Sequence, residues 1–210
     1  MIRPLLTALM ALYLVLLVPI SAAQTPTLAR PQPQWDGKSR FTILVMGLDR
    51  RPAEGDSLSF RSDTLMLVSL DPQTQHLGIL SIPRDIHVSL GSDAGLVRVN
   101  TLLLRGENVE EGYGPYMAMD VLQANLGLFI DAYIVFDFSA FITFIDAIGG
   151  VDVTTDYTIN DPTYPGMNYD YDPFYLPRGS HTLDGEMALM FARTRHGDND
   201  YVRGQRQLQV

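Results

Sequence analysis

From Phe41 onward, short apolar blocks alternate with polar breaks, and their periods predict the elements. "FTILVMGLD" (Phe41 to Asp49) is a continuous apolar, β-branched run, which predicts a buried strand. Two further apolar runs, Thr64 to Leu70 and His76 to Ile82, are joined at Asp71-Pro72-Gln73-Thr74, a turn composition. In "YGPYMAMDVLQANLGL", Met117, Val121, Leu122 and Leu126 recur near helical spacing. "DAYIVFDFSAFITFIDAIGGVDV" reads as strand, helix, Gly149-Gly150 stop and strand, with Phe138, Phe141, Ile142 and Ile145 on one helix face. "DGEMALMFARTR" predicts another helix, N-capped by Asp184 with Met187 three residues on. The class is α/β (α+β), a central mixed sheet flanked by helices, without an internal repeat.

Outside this pattern lie two stretches. Leu5 to Ala23 is uncharged and apolar behind Arg3 and ends in Ser21-Ala22-Ala23, which suits either a signal peptide or a retained membrane anchor. Either assignment puts the rest of the chain outside the cytoplasmic membrane. Residues 24–40 are a Pro/Gln-rich linker, so the folded domain spans 41–210. Thr154 to Pro177 reads as one long loop holding Tyr157, Tyr164, Tyr169, Tyr171 and Tyr175 with four prolines. Its tyrosines could stack on sugars, lie at a membrane surface or pin the loop itself.

Composition narrows the chemistry. The 210 residues carry a formal charge of -9, which argues against general nucleic-acid binding. With no cysteine, thiol catalysis and thiolate metal sites are excluded. Lys38 is the only lysine among 15 basic residues, so the positive charge is almost wholly arginine, through codon bias or because a planar fork suits phosphate. "FARTRHGDNDYVRGQRQ" gathers Arg193, Arg195, Arg203 and Arg206 around Asp198 and Asp200. Arg-Asp groupings recur at element ends in "GLDRR", "RSDT" and "PRD". Asp49 and Asp63 are hard oxygen donors suited to Mg²⁺, and Arg61, Arg84, Arg193, Arg195 and Arg203 could surround a diphosphate. Each pair taken alone is more often a structural salt bridge.

In order and spacing, "RSDTLMLVSLDP", "LSIPRD", "FIDAIGGVDV", "GSHTLDGEMALMFARTR" and "DNDYVRGQRQ" resemble the LytR-CpsA-Psr proteins of bacterial envelopes. The resemblance implies a membrane-anchored or secreted enzyme at the outer face of the cytoplasmic membrane or in the cell wall. Such an enzyme transfers a glycopolymer from a polyprenyl-pyrophosphate carrier to peptidoglycan and releases polyprenyl phosphate. It implies Mg²⁺ at Asp49 and Asp63, and pyrophosphate held by Arg61, Arg84, Arg193, Arg195, Arg203 and Gln207. Asp200 takes an acidic position that orders those arginines. Asp63, Arg84, Arg193 and Arg195 are the expected catalytic set, with Asp63 as proton acceptor. Met117, Val121, Phe138, Phe141, Ile142 and Ile145 are candidates for a lipid channel or ordinary core. Three departures stand out. The segment between Asp49 and Asp63 is long enough for Asp56 to compete as ligand. "RVNTLLLRGE" keeps Asn100 but replaces a small-residue run. The chain stops at Val210, where relatives continue, so a truncated domain is expected. A polyprenyl-diphosphate phosphohydrolase and a noncatalytic envelope-binding or regulatory module are the alternative functions.

Overall fold

β1 (Phe41–Leu48) is the axis of the domain, because both of its edges are paired. β2 (Ser62–Asp71) runs antiparallel on one side and β6 (Ala132–Phe136) parallel on the other. With β3 (His76–Ser81) beyond β2, the order is β3-β2-β1-β6, the expected mixed sheet. The computed structural model describes residues 34–51, 54–55, 57–91, 94–167, 170–195 and 200–210, without the side chain of Asp200. The Leu5–Ala23 run, most of the linker, Asp56, Tyr169 and Asp198 lie outside them. Among the described residues no helix is long and apolar enough to cross a membrane.

Local chemistry sets the turns. Asp71 Oδ1 accepts the backbone N–H groups of Gln73 and Thr74, closing the β2–β3 hairpin where the sequence placed a turn. Strand alternation then sorts side chains to two faces. Leu44, Met46, Leu65 and Leu67 face helices α1 (Leu102–Val109) and α2 (Gly114–Leu126), forming one core with Leu102, Leu103, Ala118 and Leu122. A short hairpin of β4 (His87–Ser89) and β5 (Leu96–Arg98) leads into α1. Glu107 of α1 accepts the N–H groups of Gly112 and Gly114, satisfying donors that the start of α2 leaves open.

Val45 and Met66 point to the opposite face. Below them runs α3 (Phe138–Ala147), capped by Asp137, whose Oδ1 accepts the Ala140 N–H at 2.8 Å. Gly149 and Gly150, both at positive φ, end this unit as the sequence predicts and lead into β7 (Val151–Thr155). The segment expected as a loop instead contains a ribbon, β8 (Ile159–Asp161) paired with β9 (Phe174–Leu176). Three-residue strands are too short for a period to show in sequence. Their inward residues Ile159, Phe174 and Leu176 join Ile145, Val153, Ala188 and Phe191 in a second core, together with Tyr164.

β10 (Gly179–Leu183) pairs with β7 and feeds α4 (Gly185–Arg193), after which α5 (Asp200–Gln207) follows. The N-cap of α4 is Asp184, accepting the Met187 N–H at 2.9 Å, as its sequence indicates. Gly185 lets α4 meet α3 backbone to backbone: a Cβ there would lie 2.4 Å from the carbonyl oxygen of Ile142. Gly185→Ala should therefore destabilise the domain by ~1–3 kcal/mol, as overpacking does. Gly204, inside α5, has no atom within 4 Å of an added Cβ, so Gly204→Ala should stabilise by up to ~1 kcal/mol. Urea midpoints at unchanged slope would check both signs.

Candidate active site

Asp63 reaches the site through an irregularity in the sheet. Gly47 pairs with Thr64 and Leu48 with Ser62, so Asp63 is an extra residue on β2, a β-bulge. Bulges re-aim side chains, and here the carboxylate turns toward the C-terminal ends of β1 and β6. Asp49 follows directly on β1. Gly47 keeps the floor low: an added Cβ would lie 3.1 Å from Thr64 Cβ and 3.2 Å from the Phe136 ring.

Around these carboxylates gather arginines from remote segments. Arg84, in the turn after β3, donates from Nη1 to Asp63 Oδ2 at 2.7 Å. Its backbone oxygen accepts the N–H of buried Asn100, which places Asn100 behind the site. Arg195 brings Nη2 to 3.7 Å from the same Asp63 oxygen. Arg193, the last residue of α4, donates to the Tyr164 hydroxyl at 2.8 Å and to Asp49 Oδ1 at 3.4 Å. Its guanidinium lies 3.9 Å from the Phe138 ring centroid, a cation–π contact. Burial pushes the Tyr164 phenol up, and the opposing pull of Arg193 does not cancel it, so the hydroxyl stays a proton carrier facing the guanidinium. Exposed ion pairs are worth only ~0–1 kcal/mol, so these partly open contacts serve orientation more than stability.

Asp49, Asp63, Arg84, Arg193, Arg195 and Phe138 line one cavity of about 670 Å³ between the sheet and helices α3 and α4. It has two ends of different chemistry. The ionic end carries Arg51, Arg84, Arg193, Arg195 and Arg203 against Asp49, Asp63 and Asp161, leaving an excess of positive charge. Gln207 closes it, its Nε2 3.4 Å from both Thr64 Oγ1 and the Ala192 carbonyl. The apolar end is formed by Val45, Met66, Phe136, Phe138, Phe141 and Leu189. Asp49 and Asp63 are the two carboxylates that these arginines meet. Each meets arginine through one oxygen, and their other oxygens make no hydrogen bond among the described residues.

Several expectations need correction. Arg61 is exposed and outside the cavity wall, because the chain enters the sheet only at Ser62, the first paired residue of β2. Met117 and Val121 cannot line the cavity, since α2 packs on the other face of the sheet. Ile142 and Ile145 are also absent from it. Ile145 is buried in the second core and the Ile142 backbone abuts Gly185, so that side of α3 is occupied by α4. Phe138 and Phe141 do line the cavity. Arg206, grouped in sequence with the others, turns away: it donates to the Tyr157 hydroxyl at 3.0 Å and to the Thr194 carbonyl. The side chain of Asp200 and the competing Asp56 lie outside the described residues.

Sequence reading missed Arg51, Asp161 and the Arg50–Asp137 pair. Arg51 and Arg50 stood in the quoted "GLDRR" run, but nothing there distinguished them from surface arginines. Arg50 donates to Asp137 Oδ2 through Nε at 3.1 Å and through Nη2, and to the Ser57 carbonyl through Nη1 at 3.1 Å. The pair ties the segment after β1 to the start of α3.

A model of the LytR_cpsA_psr family matches residues 20–210. The chain is 32% identical over 180 residues to the polyisoprenyl-teichoic acid–peptidoglycan teichoic acid transferase TagV of Bacillus subtilis (strain 168). That match takes in 82% of this chain and 42% of TagV. The crystal structure of B. subtilis TagV superposes with a TM-score of 0.65 at 31% identity, over 82% of this chain and 62% of that one. A structure of the LytR-CPS2A-psr family protein YwtF (TagT) with bound octaprenyl pyrophosphate lipid gives a TM-score of 0.62 at 26% identity. It covers 91% of this chain and 70% of that one. The chain spans about half the length of the curated relatives it matches.

Asp137 generates a pH prediction. Burial raises its pKa, but the Ala140 N–H and Arg50 outweigh that and hold it below the ordinary 3.8. A depressed folded pKa means stability that is full above the unfolded value and is lost as pH falls through the folded one. Asp137→Asn should cost ~1.5–3 kcal/mol at neutral pH, the range for a hydrogen bond to a charged group. It should also flatten the loss of stability below about pH 4. Denaturant melts across that range check this, and equal acid sensitivity in the two proteins would contradict it.

Proposed function

Because the chain belongs to the LytR-CpsA-Psr family, we propose that it is a phosphotransferase of the cell envelope. Its substrate is a glycopolymer carried on polyprenyl pyrophosphate, and its acceptor is peptidoglycan. The observation that carries this reading is the two-ended cavity: guanidiniums at one end, aromatic and aliphatic side chains at the other. A ligand with a multiply charged head and an isoprenoid tail meets both. The octaprenyl pyrophosphate held by TagT has that form, and TagV carries the transferase name. The apolar run Leu5–Ala23 agrees with a protein tethered at the outer face of the cytoplasmic membrane.

The roles follow from charge. Arg84, Arg193, Arg195 and Arg203 neutralise the diphosphate and the negative charge that grows on the departing polyprenyl phosphate. An acceptor sugar hydroxyl forms a bond to the phosphorus nearest the glycan. The bond from that phosphorus to the bridging oxygen breaks, polyprenyl phosphate leaves, and a phosphodiester remains. The hydroxyl proton passes to a carboxylate, for which Asp63 offers Oδ1 while its Oδ2 meets Arg84 and Arg195. Phe138 supports this set by carrying the Arg193 guanidinium on its ring face.

Asp49 and Asp63 also fit Mg²⁺, an ion that takes one or two carboxylates and completes its shell with water and substrate phosphate. Among the described residues no group of three or more His, Asp or Glu side chains could hold a metal ion. When bound, the ion would supply further positive charge to the diphosphate.

The protein should release polyprenyl phosphate from a lipid-pyrophosphate glycan when peptidoglycan oligomers are present. Arg84→Ala and Arg195→Ala should each lower turnover by ~10²–10³-fold, as loss of one preorganised donor does, with circular dichroism unchanged. EDTA should depress the rate and Mg²⁺ restore it. Near-parental turnover by both folded variants would remove the diphosphate site, and release without an acceptor would make the enzyme a phosphohydrolase.

A further inference from the structure

Asp161 has no role in the chemistry above, yet it is a carboxylate only 4% exposed in the wall of the cavity. Burying a charge is costly unless it is hydrogen-bonded, so its bonds indicate what it maintains. Oδ1 accepts the Thr163 N–H at 3.2 Å and the Thr163 hydroxyl at 3.3 Å, fixing the carboxylate to its own ribbon. Oδ2 accepts the Thr194 hydroxyl at 2.7 Å, a bond buried on both sides.

Thr194 lies between the two arginines that enter the cavity together. It leaves α4 in an extended conformation, φ -53° and ψ 140°. Each of its polar groups is used: N–H to the Met190 carbonyl at 2.9 Å, carbonyl from Arg206, hydroxyl to Asp161. The residues on either side then reach different partners, Arg193 to Asp49 and Arg195 to Asp63. An extended Thr194 sends both neighbours toward the same cavity, whereas continuing the helix would turn them some 200° apart at ~100° per residue.

We propose that Asp161 is a positioning residue that locks Thr194 and so sets the spacing of the Arg193 and Arg195 guanidiniums to match two linked phosphates instead of one. The lock rests on the diphosphate reading of the site and adds its selectivity to it. Its effect passes through a threonine hydroxyl.

The test measures affinity of the full chain in detergent for octaprenyl diphosphate and octaprenyl monophosphate. The parent should prefer the diphosphate. Thr194→Val keeps the shape of the side chain and removes the donor, and should reduce that preference by about tenfold, the effect of one charge-assisted hydrogen bond. Thr194→Ser should restore it, and Asp161→Asn should reproduce the loss. A purely structural role would lower thermal stability and leave the ratio of affinities unchanged in the folded protein. An unchanged ratio in folded Thr194→Val overturns the lock while the diphosphate site stands. A parent that binds neither probe overturns both. Should Thr194→Val fail to fold, Asp161→Asn decides: loss of the ratio supports the lock and its retention overturns it.

Discussion

A single carboxylate oxygen, Asp63 Oδ2, holds guanidiniums from two distant parts of the chain. Arg84 arrives from the turn after β3 and Arg195 from beyond α4. Without Asp63, Arg195 would lose this carboxylate and Arg84 would keep its Asp85 contact at 3.4 Å. The bulge that aims Asp63 into the cavity is therefore the constraint on which the ionic end depends. The second carboxylate, Asp49, repeats the arrangement for Arg193, with Tyr164 and Phe138 fixing that guanidinium from two further sides.

The division of the sheet into faces explains why a charged site can sit beside an open apolar wall. Leu44 and Met46 fill the core under α1 and α2, while Val45 and its β2 partner Met66 point the other way. On that second face α3 and α4 stand off the sheet far enough to leave the cavity. The Ile142–Gly185 contact sets how α4 leans on α3, and hence where α4 delivers Arg193. The Arg50–Asp137 pair does the same for the start of α3.

Much of this was legible in sequence, for identifiable reasons. Long periodic runs placed β1, β2, β3, α2, α3 and α4, with the Asp184 cap opening α4 and the Gly149-Gly150 stop following α3. Spaced motifs brought Asp49, Asp63, Arg84, Arg193, Arg195, Arg203 and Gln207 to one cavity. What was not legible depends on pairing at long range. Helical spacing shows that Met117 and Val121 share a face, but not that the face meets the wrong side of the sheet. Arg206 lies three residues from Arg203, yet it turns toward Tyr157 while Arg203 lines the cavity. Asp161 lay hidden because a three-residue strand inside a tyrosine-rich stretch gives no periodic signal.

The most direct measurement is the affinity of the folded protein for diphosphates of increasing isoprenoid length, with inorganic pyrophosphate as the zero point. Burial of each methylene-sized group contributes about 0.8 kcal/mol, so affinity should climb steeply with chain length. It should level off once the apolar end of the roughly 670 Å³ cavity is filled. A neutral polyprenol of the same length should bind far more weakly, because it leaves the arginines without an anion. Equal affinity for inorganic pyrophosphate and the longest diphosphate would show that the two ends of the cavity do not act on one ligand, and would contradict the account.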